Sequence, residues 1–264
     1  MKGAKKKFTI VCLFLAMVFW TAAGIWFIRS LSDSERSSIQ IGEAQDLAKA
    51  SEIEIPTAEA TEVDSGNSGV KLLSVDLTKL IQKNPDTAGW VQITGTNIDY
   101  PFVQTKNNDF YHNHSFDKSY NPAGWVFLDS ENSKNLTSEH SILYLHGKIE
   151  GTEFEPARSM ISSSSWLNHP EQFVMRTSTN YSNEIWQIFS IYKIPTTQDY
   201  LAIDFESPAE KMALVEKLKG RSVYNFEVPF NETDRMLTFS IRYDDEYIVA
   251  VHGKLVVPEG EVVE

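Results

Sequence analysis

Several side chains in this sequence could carry chemistry, and each stands in a distinct local pattern. In "SILYLHGKI" an imidazole, His146, follows a short apolar run. In "MLTFSIR" polar and apolar residues alternate, so Met236, Thr238, Ser240 and Arg242 share one face of a strand and Leu237, Phe239 and Ile241 the other. An imidazole carries protons near neutral pH, a serine hydroxyl attacks carbonyls when a base activates it, and a guanidinium stabilises developing negative charge. About a hundred residues separate His146 from that strand, so only a fold can join them. In "YHNHSF" the two-residue spacing of His112 and His114 could ligate a metal from an extended strand, but no third ligand is placed nearby and a solvated loop is the simpler reading. His140, His169 and His252 stand singly. Asp129, after "FL", suits a turn cap, and Asp244 and Asp245 suit a hairpin turn.

The sole cysteine, Cys12, lies inside an uncharged run from Phe8 to Ile28. Beyond that run there is no thiol, which excludes a disulfide scaffold, a cysteine metal site and thiol catalysis there. The run follows Lys2, Lys5, Lys6 and Lys7 and closes at Arg29. At about 1.5 Å per residue it could cross roughly 30 Å of hydrocarbon, and the lysines favour an N-inside, C-outside orientation. Residues 1–7 are thus expected to be a cytoplasmic basic segment, 8–28 a single-pass membrane anchor, and the rest of the chain external. A cleaved signal peptide is the alternative, less suited to an apolar run that continues through Trp26 and Phe27. The whole chain has 24 Lys and Arg against 36 Asp and Glu, a net charge of −12. Five of those basic residues lie at or before Arg29, which leaves the remainder more acidic still and excludes nucleic acid as a partner.

Residues 29–69 are rich in Ser, Glu, Ala, Asp and Gly, end in "DSGNSG" and contain almost no aromatics. Such a composition predicts a flexible extracytoplasmic linker, with a helical tendency around Ala44 to Ala50. Residues 70–264 are long enough for one domain with an ample core. "LLSVDLTKLIQKN" has helical apolar spacing. "GWVQITGTNIDYPFVQT" predicts two strands joined by a turn, and "GWVFLD", "SILYLHG", "FVMRTS", "NEIWQIFSIYKIP", "RMLTFSIR" and "EYIVAVHGKLV" predict further strands. "EFEPARSMIS" and "SPAEKMALVEKLKG" predict helices, the second ended by Gly220. The fold class expected is mostly β: a closed β-barrel with peripheral helices, preceded by one transmembrane helix.

The order of these pieces resembles the class B sortases, membrane-anchored cysteine transpeptidases of Gram-positive bacteria. The resemblance rests on "NPDTAGWVQITGTNIDYPFVQ", "NNDFYHNHSFDKSYNPAGWVFLD", "ILYLHGKIEGTEFEP", "IFSIYKIPTTQDYL", and "LTFS" followed by "VHGKLV". It implies a sortase-like barrel and a site at one of its ends. There a thiolate would attack a sorting-signal peptide, a histidine would handle the leaving amine's proton and an arginine would hold the oxyanion. His146 matches the position of the family's histidine, with Leu145 where the family has glycine. The nucleophile position falls on Arg242 when the alignment runs forward from "DRMLTFSIR", and on Ser240 when it runs backward from "VHGKLV". The richer upstream match favours Arg242, and a hairpin shortened by two residues reconciles the two. Counting back from Gly253, the family's arginine position falls on Ile248.

The resemblance, with the thiol gone, implies a pseudosortase that binds a sorting-signal peptide, a cell-wall component or a partner without cutting it. One alternative is a serine-dependent transpeptidase or peptidase using Ser240 and His146, with Arg242 reaching over as oxyanion donor. Another is a scaffold without a peptide site. No cofactor and no metal are expected.

Overall fold

The computed structural model describes residues 2–53, 71–145, 160–161 and 173–256, with the side chains of residues 2–12 and 26–35 outside the description. Eight strands close a barrel. In chain order the elements are α1 (Lys2–Leu47), β1 (Lys49–Ile53), β2 (Leu72–Asp76), α2 (Thr78–Lys83), β3 (Thr87–Ile93), β4 (Asp99–Val103), a 3-10 turn (Phe110–His112), β5 (Phe127–Leu128), β6 (His140–Leu145), β7 (Val174–Thr179), β8 (Asn183–Pro195), α3 (Pro208–Arg221), β9 (Met236–Arg242) and β10 (Tyr247–Leu255). The barrel runs β10-β8-β7-β3-β4-β5-β6-β9 and closes through the β9–β10 hairpin, while β1 and β2 form a separate two-stranded sheet. Among the described residues this is the expected architecture, a closed and mostly β barrel with peripheral helices.

Alternation sorts the side chains. On β9, Leu237, Phe239 and Ile241 join the main core with Leu143, Leu145, Val249 and Val251. Met236 joins a second cluster with Ile248, Ala250, Tyr192 and Tyr200, closed by Val215 and Leu218 of α3. Helix α3 begins with a capping pattern: the Ser207 hydroxyl accepts from Glu210 N at 3.3 Å, the Glu210 carboxylate accepts from Glu206 N at 2.8 Å, and Pro208 fills the first turn. Its last turn carries Lys219 and Arg221, which complement the helix dipole. The helix runs through Gly220 rather than stopping at it.

One expectation needs correction. "LLSVDLTKLIQKN" is a strand and then a short helix, because β2 pairs along β1 and the Asp76 carboxylate accepts from Thr78 N at 3.0 Å to turn the chain between them. Within residues 29–69, the expected linker, residues 36–47 are the end of α1 and contact the barrel and α2, and residues 49–53 pair with β2. Ser37, Gln40 and Ala44 recur at helical spacing and are buried. Asn121 Nδ2 donates to Ser37 Oγ at 2.8 Å, Gln45 Nε2 to the Asp99 carbonyl at 3.1 Å, and Lys83 pairs with Glu43 at 2.5 Å. Beside these polar contacts, Ala44 joins the main core and Ile41, Leu47 and Ala48 pack against it.

The expected anchor lies within α1. Among the described residues no helix is long and apolar enough to cross a membrane. The stretch whose side chains are described, residues 13–25, rises only about 20 Å, yet it leaves Leu13, Phe14, Leu15, Met17, Val18, Phe19, Trp20 and Ile25 exposed.

Gly124 shows how tightly the loop before β5 is built. Its φ is +67°, and a Cβ there would collide with the Tyr111 carbonyl and stand 2.7 Å from that of His112. Gly124→Ala is expected to cost about 2 kcal/mol or more, strain and clash together, read as a lowered midpoint in thermal or urea unfolding.

Candidate functional site

The polar face of β9 is set by its two neighbours. Parallel β6 puts Ile142 level with Thr238, Tyr144 with Ser240 and Leu145 with Ile241, while antiparallel β10 pairs His252 with Thr238, Ala250 with Ser240 and Ile248 with Arg242. Strand β6 therefore ends one residue short of the level of Arg242. His146 lies outside the described residues.

Arg242 closes β9 and folds onto the hairpin turn. Its Nε donates to the Asp244 carbonyl at 3.1 Å, and a guanidinium nitrogen pairs with Asp245 at 2.9 Å. The Asp244 carboxylate in turn accepts from Glu246 N and Tyr247 N at 2.9 and 2.7 Å, the hairpin role expected of it. Arg242 remains partly exposed, and an ion pair of this kind contributes about 0–1 kcal/mol. The positive charge reaches His112, whose pKa is lowered by burial first and by Arg242 after it, against a rise from Asp109.

Ser240 is enclosed. It is 3% exposed, and its hydroxyl lies 2.7 Å from that of Tyr200, so among the described residues its partner is a phenol rather than an imidazole. Burial raises the Tyr200 pKa, which keeps the phenol neutral and unfit as a base at ordinary pH. Beside it, Tyr144 donates to the Asp129 carboxylate at 2.9 Å, and Asn108 Nδ2 donates to the same oxygen at 2.9 Å. Asp129 also accepts from Glu131 N at 2.9 Å, so it caps its turn as expected and braces Tyr144 as well. Ile248 is 4% exposed within the second cluster. Leu145 packs into the main core, so its bulk is not held out toward a substrate.

The paired histidines do not converge on a metal. His112 contacts the Phe127 ring at 5.2 Å, whereas His114 stacks on Phe110 at 4.0 Å and donates from Nδ1 to the Phe110 carbonyl at 2.8 Å. Among the described residues no group of three His, Cys, Asp or Glu could hold a metal ion. His140 and His252, which look solitary in the sequence, are instead fully buried on either side of Thr238. The hydroxyl of Thr238 lies 2.6 Å from His140 Nε2 and 2.7 Å from His252 Nδ1. The residues are 98 and 14 positions apart from their shared partner, and only the strand order β6-β9-β10 reveals the group.

No protein-family model matches the chain. Two curated relatives do: sortase B of Listeria monocytogenes, 32% identical over 165 residues (62% of this chain, 65% of that protein), and sortase B of Staphylococcus aureus, 29% identical over 157 residues (60% and 63%). The chain thus spans just under two-thirds of the length of each. A solved Staphylococcus aureus sortase B-substrate complex superimposes with a TM-score of 0.62 at 26% identity, covering 69% of this chain and 84% of that one. The chain is a class B sortase-like protein. Its sortase-like barrel brings β6, β9 and β10 side by side, which sets Ser240 and Arg242 of β9 beside the strand that bears Ile248 and beside β6, whose last residue, Leu145, precedes His146. Sequence reasoning missed Tyr200, which covers Ser240 from a segment forty residues upstream. Only its place in "IPTTQDYL", a block already matched to the family, could have drawn attention to it.

Proposed function

We propose that this protein is a membrane-anchored, extracytoplasmic pseudosortase that binds a sorting-signal-like peptide without cleaving it. Arg242 carries the reading: it stands at the nucleophile position in the favoured register, its guanidinium is tied to Asp244 and Asp245, and the chain's sole cysteine is Cys12. A guanidinium is always protonated and cannot attack a carbonyl. At the position of the oxyanion donor, Ile248 offers no hydrogen to share. Peptide binding is supported by the similarity to a sortase B solved with a substrate. Anchoring through residues 8–28 is supported by the lysines that precede the run and by the row of exposed apolar side chains on α1, the kind of surface that seeks lipid.

The test uses the full chain in detergent with a fluorescent sorting-signal peptide and an amine acceptor. The expected result is saturable binding with no cleavage, since losing the nucleophile of a catalytic triad costs on the order of 10⁶ in turnover. Cleavage abolished by Ser240→Ala would establish the serine enzyme instead. Absence of both binding and cleavage across a panel of signal peptides would leave the scaffold reading.

A further inference from the structure

Arg242 meets the hairpin turn with one edge of its guanidinium and leaves the other edge open. Nε donates to the Asp244 carbonyl at 3.1 Å and Nη2 to Asp245 Oδ1 at 2.9 Å, so both bonds lie on the Nε side of the fork. A guanidinium carries five N–H hydrogens. The two on Nη1 and the second on Nη2 have no acceptor among the described residues. They make up the outer edge, two parallel N–H bonds at the spacing of the two oxygens of a carboxylate. The side chain is partly exposed, so a ligand can reach that edge. The turn already restricts the rotamers of the fork, which lowers the entropy that a ligand must offset on binding.

The surrounding groups leave that edge to a ligand. Asp245 is held on the inner edge, while the Asp244 carboxylate accepts from Glu246 N and Tyr247 N and lies 3.9 Å from Lys193 Nζ. That ammonium is itself held over the rings of Tyr243 and Tyr247, at 3.5 and 4.5 Å from their centroids. Glu246, the remaining acid of the turn, is exposed, where solvent and salt screen it. Asp129 is buried and accepts from Tyr144, Asn108 and Glu131 N. Ile248, across the hairpin, has no side-chain acceptor. On the side of the 3-10 turn stands His112, whose pKa is lowered first by burial and then by Arg242, against a rise from Asp109. The imidazole therefore feels the guanidinium. Its ring lies 5.2 Å from that of Phe127, which lies 5.1 Å from that of Tyr144, level with Ser240 on the neighbouring strand. A guanidinium and an imidazole thus bracket an aromatic row that runs along the candidate site.

We propose that the outer edge of Arg242 receives a peptide carboxylate, so that this site prefers a chain that ends there in a free C-terminus over one that runs on. The proposal rests on the reading of the barrel as a peptide-binding pseudosortase and names what that site selects. In the favoured register residue 242 stands where a nucleophile would meet a main-chain carbonyl. A ligand seated in that register brings a carbonyl to the same place, and a chain that stops there presents a carboxylate instead. An intact chain offers one neutral amide oxygen, whereas the carboxylate takes two charge-assisted hydrogen bonds and answers the charge of the guanidinium. No bond is made or broken. The bound anion also favours the protonated imidazole of His112, so the titration of that ring moves upward when the site fills.

Binding measurements on the full chain in detergent test this. The smallest probes are N-acetylglycine and N-acetylglycinamide, which differ only in the terminal group. The acid is expected to shift the Arg242 Nε–H signal in 1H–15N spectra and to raise the His112 titration, and the amide to do neither. Identical responses to the two would overturn the proposal, whatever longer peptides do. Each signal peptide of the panel is then made to end at the bond a sortase would cut, as free acid and as amide. The acid is expected to bind at least about tenfold more tightly, by an amount that shrinks with salt. Equal affinities would overturn the carboxylate preference and leave peptide binding standing. Failure of both to bind, with the N-acetylglycine response present, would instead remove the peptide reading and keep the carboxylate edge. An amidated peptide ending in aspartate that matched the free acid would assign the carboxylate to a side chain and overturn the chain-end assignment. Arg242→Gln, which keeps a donor for the turn but has no fork, should bring the acid down to the level of the amide. A preference that survives this change would count against the proposal.

Discussion

Arg242→Cys yields a chain that takes up one more alkyl group than its parent under native conditions, yet turns over sorting-signal peptide about 10²–10³ more slowly than an enzyme that keeps its oxyanion donor. Labelling follows from position. Arg242 is partly exposed at the end of β9, and its contacts there are with the turn that follows. The shortfall in turnover follows from Ile248, its partner across the hairpin, which has no donor to offer a tetrahedral intermediate. Intact-protein and peptide mass spectrometry read the label, and a timed peptide-cleavage assay reads the rate. Ser240→Cys is the control for register: at 3% exposure under Tyr200, a thiol there should alkylate far more slowly. Turnover restored by Ser240→Cys and not by Arg242→Cys would show that the nucleophile position had been placed two residues too late.

Restoring the donor is expected to be harder than restoring the thiol. Ile248 is buried between Arg242 and Ile194, in an apolar cluster with Tyr192, Tyr200 and Ala250. Ile248→Arg gives up that burial, desolvates a charge without an assigned partner and sets it directly opposite Arg242. Like charges at opposing strand positions repel, and an unpaired buried charge is costly, so a loss of about 3 kcal/mol or more is expected in urea unfolding. In the double variant Arg242→Cys/Ile248→Arg the repulsion disappears and Asp245 becomes available. Its stability should therefore exceed the sum of the two single changes, and its turnover should exceed that of either. Strict additivity in both would mean that residues 242 and 248 do not face each other as the register of β9 and β10 requires.

The barrel was legible because its strands carry a period of two. "MLTFSIR" and "YIVAVHGKL" announce both their conformation and their inward face, and Asp244 and Asp245 mark the turn between them. What escaped was held by distant partners. Residues 36–47 dock through Ile41, Ala44 and Leu47 on the main core and through Ser37, Gln40, Glu43 and Gln45, a sparse apolar row among types that composition assigns to a linker, and the polar partners lie some forty to eighty residues away. "LLSVDL" fits either period, and the choice was made by pairing with β1, itself unremarkable in sequence. At the site, alternation put Thr238, Ser240 and Arg242 on one face, but it could not reveal that Tyr200 caps the serine. Nor could it bring His140 and His252 together, since that takes the order of three strands. Leu145 stands where the family has glycine, and its side chain turns into the core, a direction that the residue type alone does not tell.

The account stands most directly on whether residue 242 has replaced a working nucleophile. The decisive measurement is the mass of the intact full chain after incubation with sorting-signal peptide in the absence of an acceptor amine, when any acyl-enzyme would accumulate. The predicted result is the unmodified mass at every time point, with peptide recovered whole. A stable increment equal to the acyl fragment, mapped to Ser240, would contradict it and identify a serine transpeptidase built on the same barrel.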